Sequence, residues 1–245
     1  GDVVVDIGCN DGTLLSYFSY NIYRVGFDPS LGTNLNFGNN LMNYCQENVS
    51  RGGAEYKIFR DYFSAKLFKE EFGERKAKVI TAIAMFYDLE NPNEFLQDIN
   101  SILADNGTLI IQQNYLVGML KNCAFDNVVH EHLEYYSLFS LEKLLNKNGL
   151  EVVEVEEREI NGGSFRTYIK KLNSSKIYAN VLEMRQKEKE MGLDTTLPYL
   201  SFANRVAKTS GNLRHLIQEK VNKGKNVYVY GASTRGGILL QSCGL

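Results

Sequence analysis

Residues 2–15, DVVVDIGCNDGTLL, decide how the rest of the chain is read. Val3, Val4, Val5 and Ile7 ahead of Gly8 describe a short strand buried on both faces, as in a parallel sheet. Helical spacing begins at once in TLLSYFSY (13–20). A strand, a glycine turn and a helix in that order put the turn at the carboxyl end of a strand, where open α/β sheets bind their ligands. A second strand, YRVGFDPS (23–30), ends in Asp28 and Pro29, with Asp28 20 residues after Gly8. Glycine lets the backbone approach a ligand, and a carboxylate at the end of the second strand accepts ribose hydroxyls. The spacing is not GxGxxG, because Asn10 stands where the second glycine would be. That argues against a nicotinamide or flavin enzyme, which needs the helix N-terminus open for pyrophosphate. Asp11 reads as the cap of the helix that follows.

The alternation continues outward. EYKIF (55–59), KVITAIAMF (78–86) and TLIIQQN (108–114) read as strands, and SAKLFKEEF (64–72) as a helix. NPNEFLQDINSILADNG (91–107) reads as a helix capped by Asn91, with Pro92 at its first position and Gly107 at its end. SLEKLLNKNGL (140–150) is a further helix, ending at Gly149. EVVEVEERE (151–159) and SFRTYIKK (164–171) alternate with period two and predict an antiparallel pair turned by INGG (160–163). Residues 31–53, rich in Asn and Gly, carry no assignment. From 175 to 223 the pattern is helical and charged; EMRQKEKE (183–190) reads as a solvated helix face and His215 as a helix histidine without a site role. KNVYVYGAS (225–233) predicts a new strand and TRGGILLQSC (234–243) a helix. The expected fold class is α/β, a doubly wound, mostly parallel sheet with a helical arm and a truncated second α/β unit. The expected boundaries are 1–172, 173–223 and 224–245.

Composition narrows the function classes. The 245 residues are 44% hydrophobic and 23% charged, enough for a sizeable core in one large domain or a domain with a smaller piece. A formal charge of -2 gives no field to recruit nucleic acid or an anionic membrane. No apolar run approaches the roughly 20 residues that span a bilayer. Cys9, Cys45, Cys123 and Cys243 lie far apart and form no CxxC pair, so no zinc knuckle or disulfide framework is expected, and the natural setting is a reducing cytoplasm. The chain opens almost inside a strand and stops soon after a strand and a helix, as a fragment of a longer protein would.

HEHLEYYS (130–137) holds two of the three histidines. A metal site would need a third ligand and usually i, i+4 spacing on a helix, and no HExxH is present, so no metal is expected. A hydrogen-bonded loop pair and an acid–base site both remain open. In an extended segment His130 and His132 would point one way and Glu131 the other. Histidine titrates near neutrality and can take and return a proton. Glu131 could orient an imidazole, and Tyr135 or Tyr136 could hold a substrate oxygen or an enolate. So dense a cluster suits a carbon acceptor beside a carbonyl, from which a base must first take a proton.

VVDIGCNDGTLL (4–15) resembles motif I of the class I S-adenosylmethionine methyltransferases. The resemblance implies that Asp6, Gly8, Asn10 and Gly12 hold the methionine part of the cofactor and Asp28 its ribose. Asp61, in FRDYFS (59–64), would lie near the adenine, and Ala84, in AIAMFYDL (82–89), beneath the methionine. FDNVVHEHLEYYSLFSLEKLL (125–145), NGGSFRTYI (161–169) and VYVYGASTRGGILLQ (227–241) are similar, in order, to the sugar C-methyltransferase family. Members methylate C3 of a nucleotide-linked 4-keto-deoxysugar, and their C-terminal Rossmann-like domain helps hold that nucleotide sugar. The resemblance implies His132 as general base, with His130 and Glu131 beside it, and a substrate loop at Gly162, Gly163 and Ser164. The small zinc domain of the family is not in this chain. Three positions depart from the family: Val129 stands where many members have Tyr, Asn161 where many have His, and Tyr87 and Asp88 where a His often follows the fourth strand. For the diphosphate of such a substrate, Arg166 and a helix N-terminus carrying Ser233, Thr234 and Arg235 are candidates. The expected partner is a nucleotide sugar, with neither nucleic acid nor membrane. Methyl transfer to an oxygen or nitrogen acceptor, and a non-catalytic sugar-nucleotide binding module, are the alternatives.

Overall fold

The structure is a computed structural model that describes residues 2–19, 21–30, 55–231 and 233–245. The Asn- and Gly-rich stretch, with Cys45, lies outside them. Seven strands form one sheet: β1 (Val3–Ile7), β2 (Tyr23–Phe27), β3 (Tyr56–Phe59), β4 (Ala77–Ile83), β5 (Leu103–Asn114), β6 (Leu150–Arg158) and β7 (Ser164–Lys171). Their order is β3-β2-β1-β4-β5-β7-β6. The first five are parallel, in registers such as Val5 opposite Val25 and Ile80. β7 runs antiparallel to β5, and β6 antiparallel to β7. The expected doubly wound, mostly parallel sheet is thus present, and its strand order reverses between β1 and β4, the point where such sheets open a crevice for a ligand.

Helices cover the sheet with the faces their spacing prescribes. α1 (Thr13–Ser16) is one short turn. α2 (Ala65–Phe72) buries Ala65, Phe68 and Phe72. α3 (Pro92–Ile102) buries Phe95, Leu96, Ile99 and Ile102, a 3.6-residue stripe, under the expected Asn91 cap and first-turn proline. α3 stops at Ile102 rather than at Gly107, because β5 begins at Leu103 with extended backbone. Gly107 answers a different need: a side chain there would meet the Ala104 and Ala77 carbonyls at 2.9 and 3.0 Å where the ladder shifts register. α4 (Leu116–Asn122) follows β5, and α5 (Leu138–Lys147), capped by Ser137, buries Leu138, Leu141 and Leu145. α6 (Ala179–Met191), α7 (Leu197–Asn222) and α8 (Thr234–Cys243) make up the arm and the C-terminal piece.

Two readings are corrected. Residues 225–230 form no strand: they have no ladder partner among the described residues, and Tyr228 and Tyr230 stand exposed. β-branched and aromatic residues express their strand preference only against a neighbouring strand or face. The helix after them is present, with Ser233 accepting the Gly236 N–H as its cap. The charged run 183–190 is not wholly solvated: Glu188 is 4% exposed and lies on the buried face of α6 with Val181 and Met184. No described helix is long and apolar enough to cross a membrane.

Candidate active site

The loop after β1 is held against the end of β2 by its own backbone N–H groups. Gly8 and Cys9 donate N–H to the Phe27 carbonyl at 2.8 and 3.1 Å, tying the loop to the end of β2. Gly8 has φ 76° and is exposed, and only the Met85 side chain, at 3.6 Å, would face an added Cβ. Asn10 also takes a left-handed conformation, φ 48°, and donates its N–H to Asp28 Oδ2 at 2.9 Å. Asp28 Oδ1 accepts from the Ser30 N–H and hydroxyl. A carboxylate has about four acceptor positions, so beside these three bonds Asp28 keeps room to accept from one ribose hydroxyl. Gly12 is the left-handed residue that starts α1. The donor set fits a ligand carrying a ribose, with exposed backbone beside an acid at the second strand end.

Asp6, like Asp28, is buried, at 4% against 7% exposure. It is buried beneath the loop, its Oδ1 accepting the Thr81 hydroxyl at 2.5 Å. Burial pushes its carboxyl up to about 6, against the pull of the Thr81 bond and with the Asp28 charge adding to the rise. Asp61 is exposed after β3, its carboxylate bonded to the Tyr62 N–H. Ala84, at φ 56°, turns the chain out of β4 and donates its N–H to the Gln112 carbonyl.

The turn after β4 joins this loop to the histidine segment. Met85 lies against Gly8, and Phe86–Asp88 form one 3-10 turn. The Tyr87 carbonyl accepts the N–H groups of Leu133 and Glu134 at 3.0 and 3.1 Å. The Tyr87 ring meets the His132 ring edge to face, with centroids 4.6 Å apart. Asp88 is partly desolvated there, which pushes its carboxyl up to about 6; His132 draws it down and Glu131 pushes it up.

HEH itself is a turn, not an extended strand, so its two histidines do not share a face. The His132 N–H closes on the Val129 carbonyl at 3.2 Å. His130 is exposed and lies 3.7 Å from Glu131. His132 is half-buried, and its Nδ1 lies 2.9 Å from the Asn127 carbonyl. A carbonyl only accepts, so Nδ1 carries hydrogen and Nε2 is the nitrogen that can take a proton. Tyr135 donates its hydroxyl to the same carbonyl at 3.3 Å. Tyr136 points elsewhere: it is buried against Phe86 in the core, where burial pushes its hydroxyl far up.

Asn127 ties the remaining loop in. Its Nδ2 donates to the Ala124 and Asn161 carbonyls at 3.3 and 3.1 Å, and its Oδ1 accepts from Asn114. Gly162 and Gly163 press on this region; a Cβ on Gly163 would sit 2.7 Å from Gly118 Cα, and one on Gly162 2.6 Å from Ala124 Cβ. Ser164 is buried at the start of β7. Arg166 Nε donates to Gln112 Oε1 at 2.8 Å, with Glu156 at 3.8 Å. Arg235, read from sequence as an anion ligand, instead holds Asp126 through Nε and Nη2 at 2.8 and 2.5 Å. Ser233 is the helix cap.

Sequence reasoning missed Asp126, Asn127 and Gln113. Gln113, near the end of β5, is buried with neither amide atom bonded among the described residues. Its period-two inward position after Leu109 and Ile111 was the available signal. No cluster of His, Cys, Asp and Glu able to hold a metal ion occurs among the described residues.

Known protein families match this chain in two parts. Residues 1–155 match the model of a methyltransferase domain, and residues 159–245 that of a C-methyltransferase C-terminal domain. The C-methyltransferase NovU of Streptomyces niveus is 32% identical over 249 residues, covering 100% of this chain and 56% of that protein. The chain thus spans just over half the length of this relative. Among solved structures, magnesium protoporphyrin IX methyltransferase from Synechocystis PCC 6803, with bound S-adenosylhomocysteine, is 16% identical with a TM-score of 0.49, over 69% of this chain and 74% of that one. An O-methyltransferase family protein from Burkholderia thailandensis is 14% identical with a TM-score of 0.47, over 70% and 52%.

Proposed function

The chain belongs to the S-adenosylmethionine-dependent methyltransferases, with a C-methyltransferase C-terminal domain following the methyltransferase domain, and from that premise we propose that it methylates a carbon of a nucleotide-linked 4-keto-deoxysugar. One observation carries this reading: a single turn after β4 touches the cofactor loop through Met85 and the imidazole of His132 through Tyr87. The methyl source and the base therefore share a wall. The similarity to NovU, a C-methyltransferase, supports carbon as the acceptor.

Asp28 and the loop of Gly8, Asn10 and Gly12, exposed at Gly8 and Asn10, hold the cofactor, and Asp6 supports that loop from beneath. When bound, S-adenosylmethionine supplies an electrophilic methyl group. His132 Nε2 takes the proton from the carbon beside the ketone, and the C–H electron pair becomes the enolate. The Asn127 carbonyl holds the imidazole through Nδ1, so the imidazolium that forms keeps its orientation. Glu131 and Asp88 place negative charge beside that imidazolium. Tyr135 is directed at the same carbonyl that holds the imidazole, whereas Tyr136 serves the core. Gly162, Gly163, Ser164 and Arg166 line the β7 side, where the sugar nucleotide is read.

The test is calorimetric titration with S-adenosylhomocysteine beside Asp28→Ala. Binding at micromolar concentration, abolished by Asp28→Ala, is expected. Solvent deuterium should then enter the keto-sugar of a sugar nucleotide, and His132→Gln should remove that exchange. A folded chain that binds no S-adenosylhomocysteine would end the reading. Methylation without exchange at carbon would move it to an oxygen or nitrogen acceptor.

A further inference from the structure

We propose that Arg235 and Thr234, on the first turn of α8, are positioning residues for the acid–base segment rather than ligands of an anionic substrate. The proposal rests on His132 being the base. Arg235 donates twice to one Asp126 oxygen, and Thr234 donates its hydroxyl to Glu131 Oε1 at 3.2 Å. One anchor, Asp126, precedes the turn that carries His132, and the other, Glu131, lies within it. Asp126 sits in the 3-10 turn Phe125–Asn127, and the next residue supplies the carbonyl that holds His132 Nδ1.

The path from α8 to the imidazole is therefore short: guanidinium, Asp126 carboxylate, one peptide unit, Asn127 carbonyl, Nδ1–H. Both partners of the ion pair are partly shielded, with side chains 34% and 27% exposed, so the pair is screened less than one in open water. The Ser233 cap fixes the first turn of α8 and so aims both side chains. The Arg235 charge also opposes the rise of the Tyr87 phenol, the ring packed on His132. Small displacements of a reacting group are costly: about 1 Å can lower a rate on the order of 100-fold. A guanidinium committed to Asp126 sets the geometry of the base without touching the substrate.

The experiment compares Arg235→Gln, Asp126→Asn and the double variant. The first readout is the His132 Nδ1–H resonance in the chain without substrate, identified by its loss in His132→Gln; only three histidines contribute. The wild type should show a slowly exchanging signal, and both single variants should broaden or lose it. The second readout is solvent exchange at the sugar carbon. Each single variant should lower its kcat roughly 10- to 100-fold with KM changed less than about 2-fold, and the double variant should fall no further than the singles. A raised KM with unchanged kcat would make Arg235 an anion ligand and overturn the proposal. An unchanged Nδ1–H signal in Arg235→Gln would overturn it too. If the wild type exchanges no sugar proton, the assignment of function fails, while the resonance still decides whether α8 holds the imidazole.

Discussion

Asp6 is a carboxylate in a place that favours the neutral acid. It is 4% exposed, and its carboxyl rises from 3.8 to about 6, with burial the largest cause. Below about pH 4 both folded and unfolded forms are protonated and the shift has no effect. Between 4 and 6 the unfolded chain ionises first, so stability falls as pH rises, and above 6 the full penalty remains. Two units correspond to roughly 3 kcal/mol. Asp6→Asn keeps an acceptor for the Thr81 hydroxyl and removes the charge. Its unfolding free energy should exceed that of the wild type by about 1–3 kcal/mol at pH 8, with the gain vanishing by pH 4. Urea melts at the two pH values check this; an equal gain at both would show that charge is not the cause. At this scale the sequence revealed residue type better than residue role. The spacing of Asp28 from Gly8 marked it at once, and the structure places it at the second strand end. The nitrogen of His132 that is free could not be read, because it depends on the direction of the Asn127 carbonyl, which a 3-10 turn sets. The bond from Arg235 to Asp126 could not be read either, because the two are 109 residues apart.

Elements were legible wherever period and cap agreed. α3 declared itself through Asn91, Pro92 and its apolar stripe, and β6 with β7 through their alternation. Its end was misread because Gly107 resembles a helix stop, while its true constraint is the Ala77 strand beside it. Residues 225–230 have strand composition but no strand to pair with among the described residues, and composition carries no information about partners. β2 hides a further lesson. Arg24, in an apolar strand, is 0% exposed, and its guanidinium donates to the carbonyls of Leu15, Phe18, Ser19 and Ile22. Those carbonyls close the short α1 and the turn after it. Arg24→Met retains much of the side-chain length and deletes every donor. It should cost roughly 3 kcal/mol in urea unfolding, since buried carbonyls left unbonded each cost about 1–3. S-adenosylhomocysteine binding should weaken with it, because Asp28 ends the same strand. A loss under about 0.5 kcal/mol would mean that water replaces the guanidinium freely.

At the scale of the molecule, the question is what fixes the helical arm to the sheet. The answer lies in a run that reads as solvated charge. Glu188 accepts the Leu138 and Phe139 N–H groups at 2.6 and 2.9 Å and the Tyr115 hydroxyl at 2.9 Å. One carboxylate thus joins α6, the first turn of α5 and the residue that leaves β5. The N-terminus of α5 presents unsatisfied N–H groups and a positive dipole end, which suit an anion. The signal was present in sequence as Val181, Met184 and Glu188 spaced on one helical face, but charge outweighed spacing. Glu188→Ala should lower stability by roughly 3 kcal/mol, because it strands one buried and one part-buried amide donor and a buried phenol. Glu188→Gln keeps one acceptor oxygen and should lose about half as much. Glu190→Ala, two residues along on the exposed face, should change stability by less than about 0.5 kcal/mol. Urea melts of the three variants decide between a joint and a surface charge. An arm merely laid on the sheet would make Glu188→Ala and Glu190→Ala alike. A joint would separate them, and would shift Tyr115, at the start of the chain path through α4 to Asn127, toward a looser hold on His132.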